Sequence, residues 1–326
     1  MILITGATGL VGAHMMLELA LTNKKIRALK RSNSSLEEVK SLFEREKQLV
    51  LWNQIEWVEG DITDVTTLDV VFKDVTEVYH VAGLVSFDDR KSKELYEVNV
   101  KGTANMVNFS ISNGVKRFLY MSSIAVMDSV NHEVITEQSE FLDKKPHSKY
   151  ACSKFEGEME VWRGSQEGLN VVIVNSGVVL GSGFWNQSSG EIIKKSLKGY
   201  YTSGGSAFVA VEDLAKCSVK LMDEKHFNER YIVISENISY EKLVKTICLS
   251  KNNKTKLISD IQLKWLSTFS SWGASLGFKN VLNSATCESL ISTTHYDNSK
   301  IRNTIDYNFK TIDQTLSSII KEYENV

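Results

Sequence analysis

Tyr150 and Lys154 stand four residues apart in Tyr150-Ala151-Cys152-Ser153-Lys154. On a helix that spacing puts a phenol and an ammonium on one face. A nearby positive charge favours tyrosinate and lowers the phenol pKa. A phenol tuned in this way exchanges a proton with a substrate alcohol or carbonyl, and the lysine can also hydrogen-bond a cofactor ribose. Ser123 follows the apolar run Phe118–Met121 and offers a hydroxyl to a substrate oxygen. Asn99, in the helical stretch Tyr96–Asn105, offers an amide to a water or a backbone group. Each residue also has a plainer reading: Ser123 as a turn cap, Asn99 as a satisfied buried amide, Tyr150 as an edge aromatic. The spacing alone is weak, because Tyr296-Asp297-Asn298-Ser299-Lys300 repeats it. Tyr296 lies after the strand–helix core, with no cofactor strand following it, so Tyr150 is the candidate.

A second constellation opens the chain. Gly6, Gly9 and Gly12 are spaced three apart in Thr5-Gly6-Ala7-Thr8-Gly9-Leu10-Val11-Gly12, between an apolar strand and an apolar helix. Residues without a Cβ let a backbone turn sharply and approach a pyrophosphate. The helix that follows presents unpaired N–H groups and a positive dipole end, so Thr8, Leu10 and Val11 join the glycines as candidate phosphate ligands. The second apolar run ends in Lys30-Arg31-Ser32. A carboxylate there would accept hydrogen bonds from a ribose 2′-hydroxyl and repel a 2′-phosphate. Arg31 instead suits a phosphate, with Ser32 adding a hydrogen bond, so NADP is expected over NAD, which is also allowed. The plainer reading of Arg31 is a solvated surface residue. Asp61 ends the third apolar run, where its carboxylate can take the adenine amino group while the Ile62 backbone acts beside it. Asp61 can also cap a helix over Thr63–Val71.

These residues need a scaffold that brings strand ends together. Met1–Ile4, Ile26–Leu29, Ile55–Val58, Val78–Ala82, Phe118–Met121 and Val171–Val174 read as buried strands. Segments of helical length separate them, such as Leu10–Leu21, Leu95–Asn113 and Ser153–Gln166. Strands apolar on both faces, alternating with helices, predict an α/β fold: a Rossmann-type doubly wound parallel sheet. Ligands bind such sheets at the carboxyl ends of the strands, where every candidate above falls. Phe208–Val211, a helix over Glu212–Met222 and a strand at Tyr231–Ile234 resume the alternation. The reading is a dinucleotide-binding core over residues 1–175, joined by 206–235. A smaller, mostly helical substrate-binding part comprises 176–205 and 236–326.

Composition removes other classes. The 326 residues are 42% apolar, with 38 Lys and Arg against 40 Asp and Glu. Near-zero charge without a basic run argues against nucleic acid as a partner. The six histidines lack ligand spacing, so no metal is expected. Cys152, Cys217, Cys248 and Cys287 are too scattered for a zinc site or a disulfide framework and read as reduced thiols. Ile261–Phe278 is interrupted by Lys264 and by serines and threonines, and reads as an amphipathic lid or surface helix, so no membrane partner is expected. No signal segment is visible before the first strand, and a cytoplasmic location is expected. The composition is compatible with a homodimer.

As an ordered set, these motifs resemble the extended short-chain dehydrogenases/reductases, the NAD-dependent epimerase/dehydratase family that also holds dihydroflavonol reductases. The residues that carry the resemblance are Gly6/Gly9/Gly12, Gly60-Asp61, His80-Val81-Ala82-Gly83, Asn99–Thr103, Ser122-Ser123, Tyr150/Lys154 and Phe208–Asp213, over about two thirds of the chain. The resemblance implies Tyr150 as general acid/base, Lys154 as its activator, Ser123 as the substrate-oxygen ligand and Asn99 as support for a proton relay. It implies that Val81, Ala82 and Gly83 line the cofactor and that Gly177 and Val178 meet its nicotinamide end. Tyr296–Lys300 resembles a C-terminal family segment without a catalytic role. Two departures lie near the substrate pocket: Ser176 where relatives usually carry proline, and Asp128 where they usually carry glycine.

The leading expectation is therefore an NAD(P)-dependent oxidoreductase that reduces the carbonyl of a small apolar or aromatic compound. Sugar-nucleotide enzymes of this family often carry a diphosphate-clamping arginine before the strand at Phe208–Val211, and here Gly204-Gly205-Ser206-Ala207 has no charge. Phe87, Ile124, Ser176, Trp185 and Tyr201 are the expected substrate contacts, with Phe184 and Tyr200 among the aromatics of the covering loops. One alternative is a sugar-nucleotide epimerase or dehydratase, in which Lys194, Lys195 or Lys198 replaces the arginine. A second is a non-catalytic dinucleotide sensor.

Overall fold

A computed structural model of the chain describes residues 1–130, 133–142, 144–275 and 282–324. Its strands are β1 (Ile2–Thr5), β2 (Ile26–Lys30), β3 (Glu56–Glu59), β4 (Glu77–His80), β5 (Arg117–Ser123), β6 (Asn170–Ser176), β7 (Val178–Leu180), β8 (Tyr200–Tyr201), β9 (Gly205–Ala210), β10 (Glu229–Val233), β11 (Glu236–Ser239) and β12 (Lys256–Leu257). The helices of the first half are α1 (Leu10–Leu21), α2 (Glu37–Arg45), α3 (Leu49–Trp52), α4 (Val65–Val71), α5 (Ser92–Tyr96), α6 (Thr103–Ser112) and α7 (Lys149–Gln166). Those of the second half are α8 (Ser188–Ser196), α9 (Val211–Asp223), α10 (Tyr240–Leu249), α11 (Asp260–Ser275), α12 (Ser284–Ile291), α13 (Ser299–Ile305) and α14 (Ile312–Tyr323).

Seven strands form one parallel sheet in the order β10-β6-β5-β4-β1-β2-β3. The order reverses between β1 and β4, which opens a crevice at their carboxyl ends. The register puts Thr5 beside His80 and Ser123 beside Ser176. Two apolar layers sandwich the sheet. One gathers α1, α2 and α9 on Ile4, Tyr79, Leu119, Val172 and Tyr231; the other gathers α4, α6 and α7 on Leu3, Val78, Phe118, Tyr120 and Val171. Because the central strands are covered on both sides, their sequences are continuously apolar rather than alternating.

The expected strand at Phe208–Val211 exists but belongs to a separate three-stranded sheet, β11-β9-β7. Val211 already starts α9, which packs on α1. Around that small sheet, α8, α10 and α14 build a second core from Leu180, Ile193, Phe208, Leu243, Ile247 and Leu316. The helical stretch expected over Leu95–Asn113 is one continuous run with a wide π-turn, Glu97–Gly102, between α5 and α6. The lid or surface helix expected over Ile261–Phe278 is α11 up to Ser275, and its last three residues lie outside the described residues. Ile261, Trp265 and Leu266 are exposed on it while Leu263 is buried. No helix among the described residues is long and apolar enough to cross a membrane. All four cysteines are free thiols.

Candidate active site

The glycine loop turns directly from β1 into α1. Gly6 has φ +69°, and a Cβ there would sit 2.7 Å from the Ala82 nitrogen. At Gly12 a Cβ would sit 2.1 Å from the Gly6 carbonyl oxygen. Only glycine at both positions allows β1, β4 and α1 to meet this closely. Gly9 caps α1 without a side-chain hydrogen bond, and the first turn carries no acidic residue. The Leu10, Val11 and Gly12 amides therefore form an electropositive helix start with no side chain across it, which fits an anionic pyrophosphate. Leu10 contributes only its backbone, because its side chain is core; Thr8 is half-buried beside it.

At the ends of β2 and β3 lies a cleft of about 470 Å³ lined by Arg31, Ser32, Asn33, Glu59, Gly60, Asp61 and Thr67. Among the described residues the Arg31 guanidinium has no hydrogen-bond or ion-pair partner; only its backbone is engaged, by Ser34. Glu59 lies 3.8 Å from the Lys30 ammonium, which offsets its charge. Asp61 binds the Thr63 amide and hydroxyl at 2.8 and 2.7 Å through one oxygen. The expected helix cap at Asp61 is corrected: α4 starts two residues later than expected, and Asp64 caps it by accepting from the Thr66 amide. Ile62 is buried, and its carbonyl accepts from Asn105.

Tyr150 and Lys154 share the first two turns of α7, which Ser148 caps by accepting from the Ala151 amide. Lys154 is almost fully buried, and its Nζ donates to the Met121 carbonyl at 2.6 Å and lies 4.1 Å over the Tyr120 ring. Burial lowers its pKa to about 7, with Glu158 pulling the other way. The expected lowering of the Tyr150 pKa is corrected. Burial pushes the phenol up, and a side-chain hydrogen bond with Ser123 opposes that only in part. The reason is that the lysine's charge is itself suppressed by burial and the amine is engaged with Met121.

Ser123 ends β5, where its Oγ accepts from the Ala125 amide at 3.2 Å, so the expected turn-capping role is present. Asn99 sits inside the π-turn and is 1% exposed. It accepts from the Leu84 amide at 2.7 Å, donates to the Leu84 carbonyl at 2.9 Å and donates to Ser153 Oγ at 2.9 Å. A fully satisfied Asn99 thus clamps the segment after β4 onto α7. Gly83 lies under this clamp: a Cβ there would approach Asn99 Oδ1 at 3.3 Å and Lys154 Nζ at 3.9 Å. Val81 and Ala82 precede it, half-buried, at the crevice between β1 and β4.

The expected substrate contacts divide. Phe87 is 45% exposed, and its ring stands edge-on to Tyr150 at 5.8 Å. Ser176 is the register partner of Ser123, and Gly177 separates it from Val178, where β7 begins. Ile124 is packed with Val126, Ile135 and Ile234. Phe184 is core, 6.4 Å from His14. Trp185 packs on Tyr323 at 5.0 Å, and Tyr201 lies under Lys245 at 5.8 Å. Trp185 thus packs against the second core, and Tyr201 stands beside α10.

Sequence reasoning passed over a buried polar group beneath the site. Glu158, one turn beyond Lys154, accepts from Ser122 at 2.6 Å and from Asn175 at 2.9 Å and pairs with Arg230 at 3.3 Å. Asn175 also donates to the Ser123 carbonyl at 3.3 Å. Its signal was the i, i+4 spacing from Lys154, which puts Glu158 on the face that α7 buries.

The site and the sheet together define a dinucleotide-dependent enzyme of the Rossmann type. Residues 2–234 match the family model described as the NAD dependent epimerase/dehydratase family. The chain belongs to that family, within the extended short-chain dehydrogenases/reductases, and is an NAD(P)-dependent oxidoreductase of its type. Similar curated proteins include "Sterol demethylase protein B" of Methylococcus capsulatus, 28% identical over 72% of this chain and 70% of that protein. A putative dihydroflavonol 4-reductase of Synechocystis is 28% identical over 73% of this chain and 68% of that protein. Among solved structures, gox2253 superposes with a TM-score of 0.85 at 22% identity, over 99% of this chain and 98% of that one. The dTDP-glucose 4,6-dehydratase DesIV of Streptomyces venezuelae, with NAD bound, superposes with a TM-score of 0.78 at 17% identity, over 99% of this chain and 97% of that one. These two likenesses establish the fold.

Proposed function

We propose that this enzyme is an NADP-preferring reductase that converts the carbonyl of a small apolar or aromatic compound to an alcohol, with Tyr150 as general acid. A bound nicotinamide dinucleotide supplies the hydride. The observation that carries the reading is the placement of Tyr150 on the first turn of α7, with Lys154 one turn along, Ser123 at the end of β5 and the exposed Phe87 ring edge-on to the phenol. Ser123 orients the carbonyl oxygen, and Tyr150 donates its proton to that oxygen as negative charge develops there. A phenol carries its proton at neutral pH even at its ordinary pKa, and burial acts in the same sense. Lys154, one turn along the same face, is placed to stabilise the resulting tyrosinate. Asn99 keeps the loop after β4 pinned to this helix.

Two features support an apolar substrate over a sugar nucleotide. The uncharged stretch 204–207 is covered at its start by the end of α12, with the Gly204 and Gly205 amides donating to the Leu290 and Ser292 carbonyls. Lys194 and Lys195 are held by Asn186 and Glu191. The names of two relatives, a sterol demethylase protein and a dihydroflavonol reductase, point the same way. The free guanidinium of Arg31 in the β2–β3 cleft supports NADP.

The test is a panel of aromatic and aliphatic aldehydes and ketones, with UDP-, GDP- and dTDP-sugars, assayed with NADPH and NADH. Turnover is expected with NADPH and a carbonyl compound. Arg31→Ala should reduce the NADPH preference about tenfold, since a charge-assisted contact is worth roughly 1.5–3 kcal/mol. Turnover or strong thermal stabilisation by a sugar nucleotide alone, or an unchanged cofactor ratio, contradicts the proposal.

A further inference from the structure

His80, at the end of β4, is completely buried and takes no part in the chemistry above. Its ring stacks on Tyr120 at 5.8 Å, the ring over which Lys154 Nζ lies. Four hydrogen bonds run through it in one line. The Ala82 amide donates to Thr5 Oγ1 at 3.1 Å. Thr5 Oγ1 lies 2.8 Å from His80 Nδ1, and His80 Nε2 lies 3.0 Å from Thr103 Oγ1. Thr103 Oγ1 donates to the Asn99 carbonyl at 2.7 Å.

The ends of the line fix its polarity. A carbonyl can only accept, so the single hydroxyl proton of Thr103 is committed to Asn99. Thr103 must then accept from His80, which puts the ring proton on Nε2. Nδ1 is left as the acceptor, and the hydroxyl proton of Thr5 goes to it. Thr5 is thereby free to accept from the Ala82 amide, which can only donate. Four protons fill four acceptor positions, and no other arrangement satisfies both ends.

We infer that His80, as its Nε2–H tautomer, is a positioning residue. Its ring is the fixed-polarity link between the cofactor-lining segment at Ala82 and the π-turn that carries Asn99. Thr5 adjoins Gly6, and Asn99 holds both Leu84 and Ser153, so the line ties the glycine loop to the Tyr150 helix. The histidine stays neutral: burial, and secondarily Lys154, lower its pKa to about 3. The inference rests on the dinucleotide reading of the site, and its effect falls on cofactor binding and turnover together.

Two readouts test it. In the protein alone, nitrogen-15 spectra of the imidazole should show Nε2–H for His80 without titration from about pH 5 to about pH 9. This does not depend on any ligand. In binding, His80→Phe keeps a flat ring but breaks both links. It should weaken NADPH affinity by calorimetry about tenfold, because two buried polar partners lose their mates. It should also lower kcat while leaving the KM of the carbonyl substrate unchanged. Thr103→Val should reproduce the loss, Thr103→Ser should restore wild-type behaviour, and His80→Phe/Thr103→Val should be no worse than either single change. If His80→Phe does not fold, the Thr103 pair carries the test. An Nδ1–H tautomer, a titrating ring, wild-type NADPH affinity in Thr103→Val, or a Thr103→Ser as impaired as Thr103→Val overturns the inference. Absence of dinucleotide binding by the wild-type protein would instead sink the functional reading and leave the tautomer to be judged by its spectrum.

Discussion

The chain contains the same five-residue spacing twice, and the two copies become different objects. Tyr150 and Lys154 fall on one helix, 18 residues long, whose inner face is buried. Tyr296 precedes α13, with Asn298 at the helix start, so its ring and Lys300 share no helical face. Tyr296 is pinned as a strand-like partner of Ile135 and Asn237. Lys300 pairs with Glu229 at 2.6 Å and lies over the Tyr231 ring. Lys154 has a backbone carbonyl and a ring as neighbours, and burial suppresses its charge. A motif of this kind is therefore made by its surroundings: one copy puts a buried amine without an ion pair on the same helix face as its phenol, and the other puts an ion-paired amine off that face.

The comparison can be broken most sharply at the lysines. Lys154→Met should lower turnover at least about 10²-fold and weaken dinucleotide binding, measured by steady-state kinetics and calorimetry. Lys300→Met should leave both unchanged and cost roughly 1–2 kcal/mol of stability through its lost ion pair and ring contact. Loss of activity in both variants, or in Lys300→Met alone, would erase the distinction.

A smaller effect is expected one helical stretch further on. A Cβ on Gly157 would meet the Asn99 carbonyl oxygen at 2.4 Å and the Tyr120 hydroxyl at 2.6 Å. Gly157→Ala should therefore destabilise by about 1–3 kcal/mol, the usual cost of overpacking, and slow turnover by displacing Asn99. The equivalent position after Tyr296 is Asn303, which is exposed. Asn303→Ala should change neither, as denaturant unfolding and rate measurements will show.

The weakest expected effect is a pH dependence. The Lys154 pKa is about 7 in the folded chain, below its unfolded value. At pH below 7 both states are protonated, and the fold bears the cost of a buried charge. Between pH 7 and the unfolded lysine value the unfolded chain holds the extra proton, so stability rises with pH. Unfolding curves at several pH values should show this rise in the wild type and in Lys300→Met, and its loss in Lys154→Met.

Much of this was legible in the residues. Apolar runs identified the strands β1, β2, β4, β5 and β6, which are covered on both faces and leave no alternation to misread. The strand expected to be buried at Ile55–Val58 is instead the edge strand β3, whose Glu56 and Glu59 are exposed. Residue type and spacing already suggested where the glycine loop, Ser123, Tyr150, Lys154 and Asn99 fall: after β1, at the end of β5, on one face of α7 and against that helix. What escaped depends on tertiary contact. Spacing suggested a lowered phenol pKa at Tyr150, but burial decided the sign. Trp185 and Tyr201 looked like pocket aromatics, yet Tyr323 and Lys245 engage them through contacts distant in sequence. The π-turn around Asn99 has the residue pattern of an ordinary helix, and only its packing on α7 at Gly157 distinguishes it. The central claim, that of two identical spacings the catalytic one is the pair sharing a helix face with a buried lysine, is tested most directly by one paired measurement: NADPH-dependent turnover of Tyr150→Phe against Tyr296→Phe, with dinucleotide affinity followed in parallel. The account predicts a fall of about 10²–10⁴-fold for Tyr150→Phe at nearly unchanged affinity, and wild-type turnover for Tyr296→Phe. Wild-type turnover by Tyr150→Phe would contradict it.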